Sequence, residues 1–157
     1  MKKIYFYLAV ASFGLFTITS CSDDEKAGPE PTKDVFLGKW DLKTLSSKVY
    51  INGDLVEDVK EQPVEGMMTL QFDFKADNKV DYYMYAPATE DREEVKVDAS
   101  GSYKKNGAEL TITIEGEDQI FKIEGNDAAN LKLMQSIEFK FDEATLKQDV
   151  TFNFKKM

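Results

Sequence analysis

Between Trp40 and Phe154 the apolar residues of this chain recur at every second position, in short runs separated by turn residues. No run carries the three-to-four spacing of a long amphipathic helix, and a period of two is the signature of a strand that buries one face. Trp40, Leu42 and Thr44 alternate with Asp41 and Lys43; Met68, Leu70, Phe72 and Phe74 share one face; so do Val95, Val97 and Ala99. Leu110, Ile112 and Ile114 alternate with Thr111 and Thr113, and Val150, Phe152 and Phe154 close the series. Turns are marked by Asn52-Gly53-Asp54, Lys75–Lys79, Lys105-Asn106-Gly107, Gly116-Glu117-Asp118 and Gly125-Asn126-Asp127. The pattern predicts strands over 38–44, 66–74, 80–85, 94–103, 109–115, 119–124, 130–135 and 148–154, with 137–141 continuing the seventh after a break. Leu55–Glu65 reads as an irregular connection, and Asp34–Leu37 and Asp142–Leu146 as single helical turns. The expectation is an all-β fold, an antiparallel up-and-down barrel of about eight strands. A two-sheet β-sandwich satisfies the same alternation.

Composition narrows the chemistry. The sequence has no histidine and one cysteine. Ser-His-Asp and Cys-His catalysis and histidine-based metal sites are therefore excluded. No residue stands out as catalytic or metal-binding, no cofactor is expected, and the reading is of a protein that is not an enzyme. The net charge of −9 argues against nucleic acid and against adsorption to anionic lipid.

The N-terminal stretch reads as an address. Lys2 and Lys3 precede a nearly uninterrupted apolar run from Ile4 to Ile18, too short for a membrane span and followed by no basic flank. Ile18-Thr19-Ser20-Cys21 resembles the lipobox of bacterial lipoproteins, in which the chain is cut before the cysteine and its thiol is acylated. The resemblance implies a signal peptide over 1–20, lipidation at Cys21 and attachment to a membrane through that anchor. It leaves 137 of the 157 residues, and loss of Lys2 and Lys3 takes the net charge from −9 to −11. Ser22-Asp23-Asp24-Glu25 resembles the acidic export signal of lipoproteins from Bacteroidetes-type bacteria, implying the outer membrane and the cell surface. A solvated acidic linker is the other reading. Residues 21–33, with Gly28-Pro29-Glu30-Pro31, form a tether, and the folded domain is expected over 34–157.

Gly38-Lys39-Trp40 at the start of the first strand resembles the Gly-x-Trp signature of the lipocalin and calycin barrels. Gly101-Ser102-Tyr103, Leu110-Thr111-Ile112, Ile123 and Leu131-Lys132-Leu133 resemble the short lipocalin-like domains of Bacteroidetes lipoproteins, over about residues 35–155. The Thr-Asp-Tyr motif and the helix before the last strand have no counterpart. The resemblance implies that Trp40 plugs the closed base, and that the barrel holds a small apolar or amphipathic ligand. The candidate lining is then Met68, Leu70, Phe72, Tyr82, Met84, Ile112 and Phe152.

A second function class stays open, an interaction module that engages a protein or glycan through an outer face. Tyr83 and Tyr85 alternate with Tyr82 and Met84 and form the candidate outward aromatic patch. Glu90, Asp91, Glu93 and Glu94 lack the spacing of a calcium loop and read as a solvated loop.

Overall fold

The computed structural model describes residues 35–90, 92–141 and 144–157. The expected signal peptide, Cys21, the expected tether and the loop residue Asp91 lie outside the described residues. What is described is all strand: β1 (Gly38–Ile51), β2 (Asp54–Pro63), β3 (Thr69–Phe74), β4 (Lys79–Ala86), β5 (Val95–Asn106), β6 (Glu109–Ile114), β7 (Glu117–Asn126), β8 (Asn130–Phe141) and β9 (Ala144–Lys156).

Each strand pairs antiparallel with its successor from β3 onward, and β1 joins β3 on one edge and β9 on the other. That last pairing, from Trp40↔Lys156 to Ile51↔Leu146, closes the sheet. Closure decides between barrel and sandwich. Eight strands make the ring, and β2 adds a ninth that hydrogen-bonds only to β1.

Local chemistry sets these elements. Ile51 pairs with Asp54 across a two-residue turn in which Asn52 (φ 51°) and Gly53 (φ 90°) both adopt the left-handed region. That conformation matches the twist of a hairpin and is favoured by Asn-Gly. The chain then runs back along β1 to Pro63 and turns at Val64. Val64 N–H donates to Lys43 O (3.1 Å), and the Met67 and Met68 amides donate to Val64 O (2.9 and 3.0 Å). Lys43 sits at a bulge in β1, so the extra residue there supplies the acceptor. Beyond this turn β3 resumes along the same edge of β1.

Three expectations are corrected. Leu55–Pro63 is not irregular but lies in β2, paired with β1 from Thr44↔Pro63 to Ile51↔Asp54. The break before Ile137 is absent, because Gln135 and Ser136 stay in the β8–β9 ladder opposite Val150 and Asp149. Thr145 and Leu146 are not helical; they pair with Lys140 and Phe139 inside β9. In each case ladder hydrogen bonds override a weak local preference. The strand predicted from Gly66 begins at Thr69, with Gly66 in the turn at φ 77°.

The interior is aromatic. At the base Phe36, Phe74 and Tyr103 pack together, with ring centroids 4.3 Å (Phe36–Phe74) and 5.0 Å (Phe74–Tyr103) apart. Trp40 is wholly buried, its Nε1–H donating to Phe36 O at 2.8 Å. One layer higher, Phe72 meets Phe154 at 5.5 Å and Phe121 at 6.5 Å, and Phe121 meets Phe152 at 5.9 Å. Among the described residues no polar or charged side chain is buried in this core. Lys105 rides over the Phe36 ring at 5.5 Å, and Lys156 over Trp40 at 5.0 Å, so long stems cover the base while their ammonium groups reach water.

Candidate ligand site at the open end of the barrel

Paired residues on neighbouring strands share a face, so the register assigns every side chain an inside or an outside. All seven predicted lining residues belong to one cluster. Leu70 pairs with Met84 and Phe72 with Tyr82. Leu70, Phe72, Met84 and Ile112 are buried core, while Met68, Tyr82 and Phe152 are partly buried and pack against it. The first four therefore fill the barrel. The other three border that packed interior and are only partly covered.

Tyr82 shows the character of that border. Its ring lies 5.5 Å from Phe72, and its hydroxyl donates to Met84 Sδ at 3.3 Å. Burial disfavours the phenolate and pushes its pKa from 10.0 up to about 12. The folded value lies above the unfolded one, so the associated stability is whole below pH 10 and is lost as pH rises toward 12. Tyr82→Phe is expected to remove a loss of about 2 kcal/mol over that window. Parallel denaturation curves at pH 9 and pH 11.5 check it, and curves that stay parallel with pH would show an exposed hydroxyl.

Above this level the ring is incomplete. β7 and β8 pair only through residues 122–126 and 131–134, so β8 from Gln135 to Phe141 has β9 alone as neighbour. On the other flank β2 has β1 alone. Strands β2, β1, β9 and β8 thus continue as a four-stranded wall past the closed part of the barrel. Its inward face follows from the ladders: Val49 opposite Gln148, Ile51 opposite Leu146, Gln148 opposite Ile137, Leu146 opposite Phe139, and Val150 opposite Gln135. These side chains continue the column of Phe154 and Phe152. They are only half-covered, with Ile51 42% and Phe141 60% exposed. Phe139 and Phe141 stack at 6.2 Å on the same face. Among the described residues, Gln148 makes a side-chain hydrogen bond on this face, its Nε2 donating to Ser47 Oγ at 3.0 Å. The wall's apolar residues were not among the candidate lining, although Ile137, Phe139 and Phe141 alternate visibly in the sequence.

The outward side of the same wall is charged. Lys48, Tyr50, Asp58, Lys60, Lys132 and Asp149 line a groove of about 570 Å³. Lys147 ion-pairs with Asp149 at 3.1 Å and lies 5.5 Å from the Tyr50 ring centre. Further round, Tyr83 faces a depression of about 390 Å³ with Gln71, Asp73, Asp81 and Asp98. Tyr83 and Tyr85 are half-buried, and Tyr85 Oη donates to Glu94 Oε2 at 3.2 Å. That hydrogen bond, with the carboxylate's charge, holds the Tyr85 pKa above its usual value. Among the described residues no group of three or more acidic or cysteine side chains is placed to hold a metal ion.

An up-and-down antiparallel ring of eight strands, filled at one end and open at the other, is the lipocalin architecture. The fold is lipocalin-like. Solved structures with a similar chain path include a lipocalin-like protein from Bacteroides uniformis, at 15% identity and a TM-score of 0.44, covering 78% of this chain and 99% of that one. Bovine odorant binding protein in complex with a selenium-containing odorant matches at 16% identity and a TM-score of 0.47, over 85% of this chain and 78% of that one. Apocrustacyanin C1 matches at 16% identity and a TM-score of 0.47, over 81% and 63%. No protein-family model matches the sequence. No curated protein matches it either.

Proposed function

We propose that this lipocalin-like barrel binds a small apolar or amphipathic ligand at its open end, against the inward face of the four-stranded wall. The observation that carries this is the half-exposed apolar column of Val49, Ile51, Ile137, Phe139, Phe141, Leu146 and Val150, continuous with Phe152 below. An apolar face left open above a packed core recovers free energy when a ligand covers it, at about 25 cal/mol per Å². The role is binding, with no catalytic step. The alternative, a protein or glycan on the outer face, has weaker support, because Tyr83 and Tyr85 are half-covered and the Tyr85 hydroxyl is committed to Glu94.

The test uses the neutral fluorophore N-phenyl-1-naphthylamine. Phe139→Asp with Phe141→Asp is expected to weaken its binding about tenfold or more, since two apolar contacts are replaced by charges. Tyr83→Ala leaves it unchanged. Binding that ignores the phenylalanine pair, or no binding at all, would sink the proposal.

The proposal includes the setting. Lipidation at Cys21 and the acidic residues after it would hold the domain on the outer membrane, at the cell surface. Two or three acyl chains would make such anchoring stable, each buried CH₂ contributing about 0.8 kcal/mol. Cys21→Ser is expected to move the protein from the membrane fraction to the soluble one. A variant that still sediments with membranes would contradict the anchor.

A further inference from the structure

We infer that the ligand of the open end carries a positive charge on its polar head, as a long-chain ammonium amphiphile does. The inference rests on the proposed apolar site and adds its charge selectivity.

The register sorts the charges of the open end by face. Asp54 pairs with Ile51, Glu57 with Val49 and Glu117 with Ile114, which places all three carboxylates on the inward side. None of them has an ion-pair partner among the described residues. The lysines of the same strands go the other way. Lys48 pairs with Asp149 and Asp58 and lines the outer groove together with Lys60. Lys147 is held outside by Asp149 and Tyr50, and Lys140 by Glu138 at 3.9 Å. Arg92, in the β4–β5 loop, donates from Nη2 to Pro87 O within its own loop. Lys105, which faces inward, sits at the opposite end over Phe36.

An apolar column bordered by unpaired carboxylates complements one kind of small molecule. An alkyl or aryl body covers Phe139, Phe141, Ile51 and Leu146, and its cationic head meets Glu57 and Asp54. A carboxylate or sulfate head would face the same acids and be repelled. Partial exposure keeps each contribution modest and sensitive to salt.

Calorimetry on the purified protein separates the parts, using dodecyltrimethylammonium, dodecyl maltoside and dodecyl sulfate, each below its micelle concentration. The three share one apolar chain and differ in head-group charge. The cation is expected to bind about tenfold tighter than the anion at low salt, with the neutral maltoside between them. Glu57→Gln with Asp54→Asn shrinks that preference, whereas Asp58→Asn with Glu61→Gln, which removes equal charge from the outer groove, preserves it. Equal affinities, or a preference for the sulfate, would overturn the charge inference while leaving the apolar site in place. A preference lost equally in both double variants would reduce it to bulk charge and overturn it too. If none of the three binds, the apolar site itself fails.

Discussion

Trp40→Ala is expected to cost about 3–5 kcal/mol of stability, as other large-to-small core changes do. Three losses combine at this site. The indole is wholly buried, so its removal leaves a cavity at the base. Its Nε1–H donates to Phe36 O at 2.8 Å, and truncation removes that buried hydrogen bond. Phe36 itself contacts Phe74 at 4.3 Å, so the segment that closes the base loses its hold. Against a total of roughly 5–15 kcal/mol for a domain, the loss is a large share. Trp40→Phe keeps ring volume but not the donor, and falls between. Denaturant midpoints check both. Because Trp40 is the sole tryptophan, its emission reports this site alone. Blue-shifted native fluorescence, poorly quenched by acrylamide, is the expected result, and water-exposed emission would refute the plug.

The second large effect is at Gly101, where backbone approaches backbone. A Cβ at this position would lie 2.0 Å from Thr113 O and 2.7 Å from Ile114 Cδ1. Thr113 cannot retreat, because β6 is bonded to β5 on one side and to β7 on the other. Glycine is needed here for space, at the point where β5 leaves β4 and closes on β6. Gly101→Ala is expected to destabilise at or above the upper end of the about 1–3 kcal/mol typical of overpacking. The denaturation midpoint should fall with an unchanged slope. A variant as stable as the parent would mean that the two strands are further apart than described.

What was legible in the sequence was direction. Trp40, Leu42, Phe72, Leu110, Ile112 and Phe154 alternate, and each points inward as the alternation requires. What was illegible was partnership. Asp54–Pro63 is exposed along almost its whole length, so no alternation marks it; β2 exists because the Asn52-Gly53 turn folds it onto β1. Gln135 and Ser136 look like a break because both are polar. Ser136 simply faces outward, where its hydroxyl donates to Asp149 at 2.6 Å. Thr145 and Leu146 resemble a helical turn until pairing with β8 and β1 is known.

The candidate site divides along the same line. Alternation gave the face of Leu70, Phe72, Met84 and Ile112 but not their depth, and depth separates a filled base from an open mouth. Val49 and Ile51 lie far from Phe139 in the chain, and only the β1–β9 closure brings them into one column with Leu146 and Val150. The inward placement of Glu57 and Asp54 depends on a bulge between Val49 and Tyr50 that no sequence pattern announces.

The central claim is that ligand sits on the inward face of the wall, and methyl-resolved NMR during titration with N-phenyl-1-naphthylamine tests it most directly. The methyls of Val49, Ile51, Ile137, Leu146 and Val150 should shift in step with binding, while those of Leu110 and Leu131, buried below, stay still. Shifts confined to the outer groove, or to the base around Leu110 and Leu131, would contradict it.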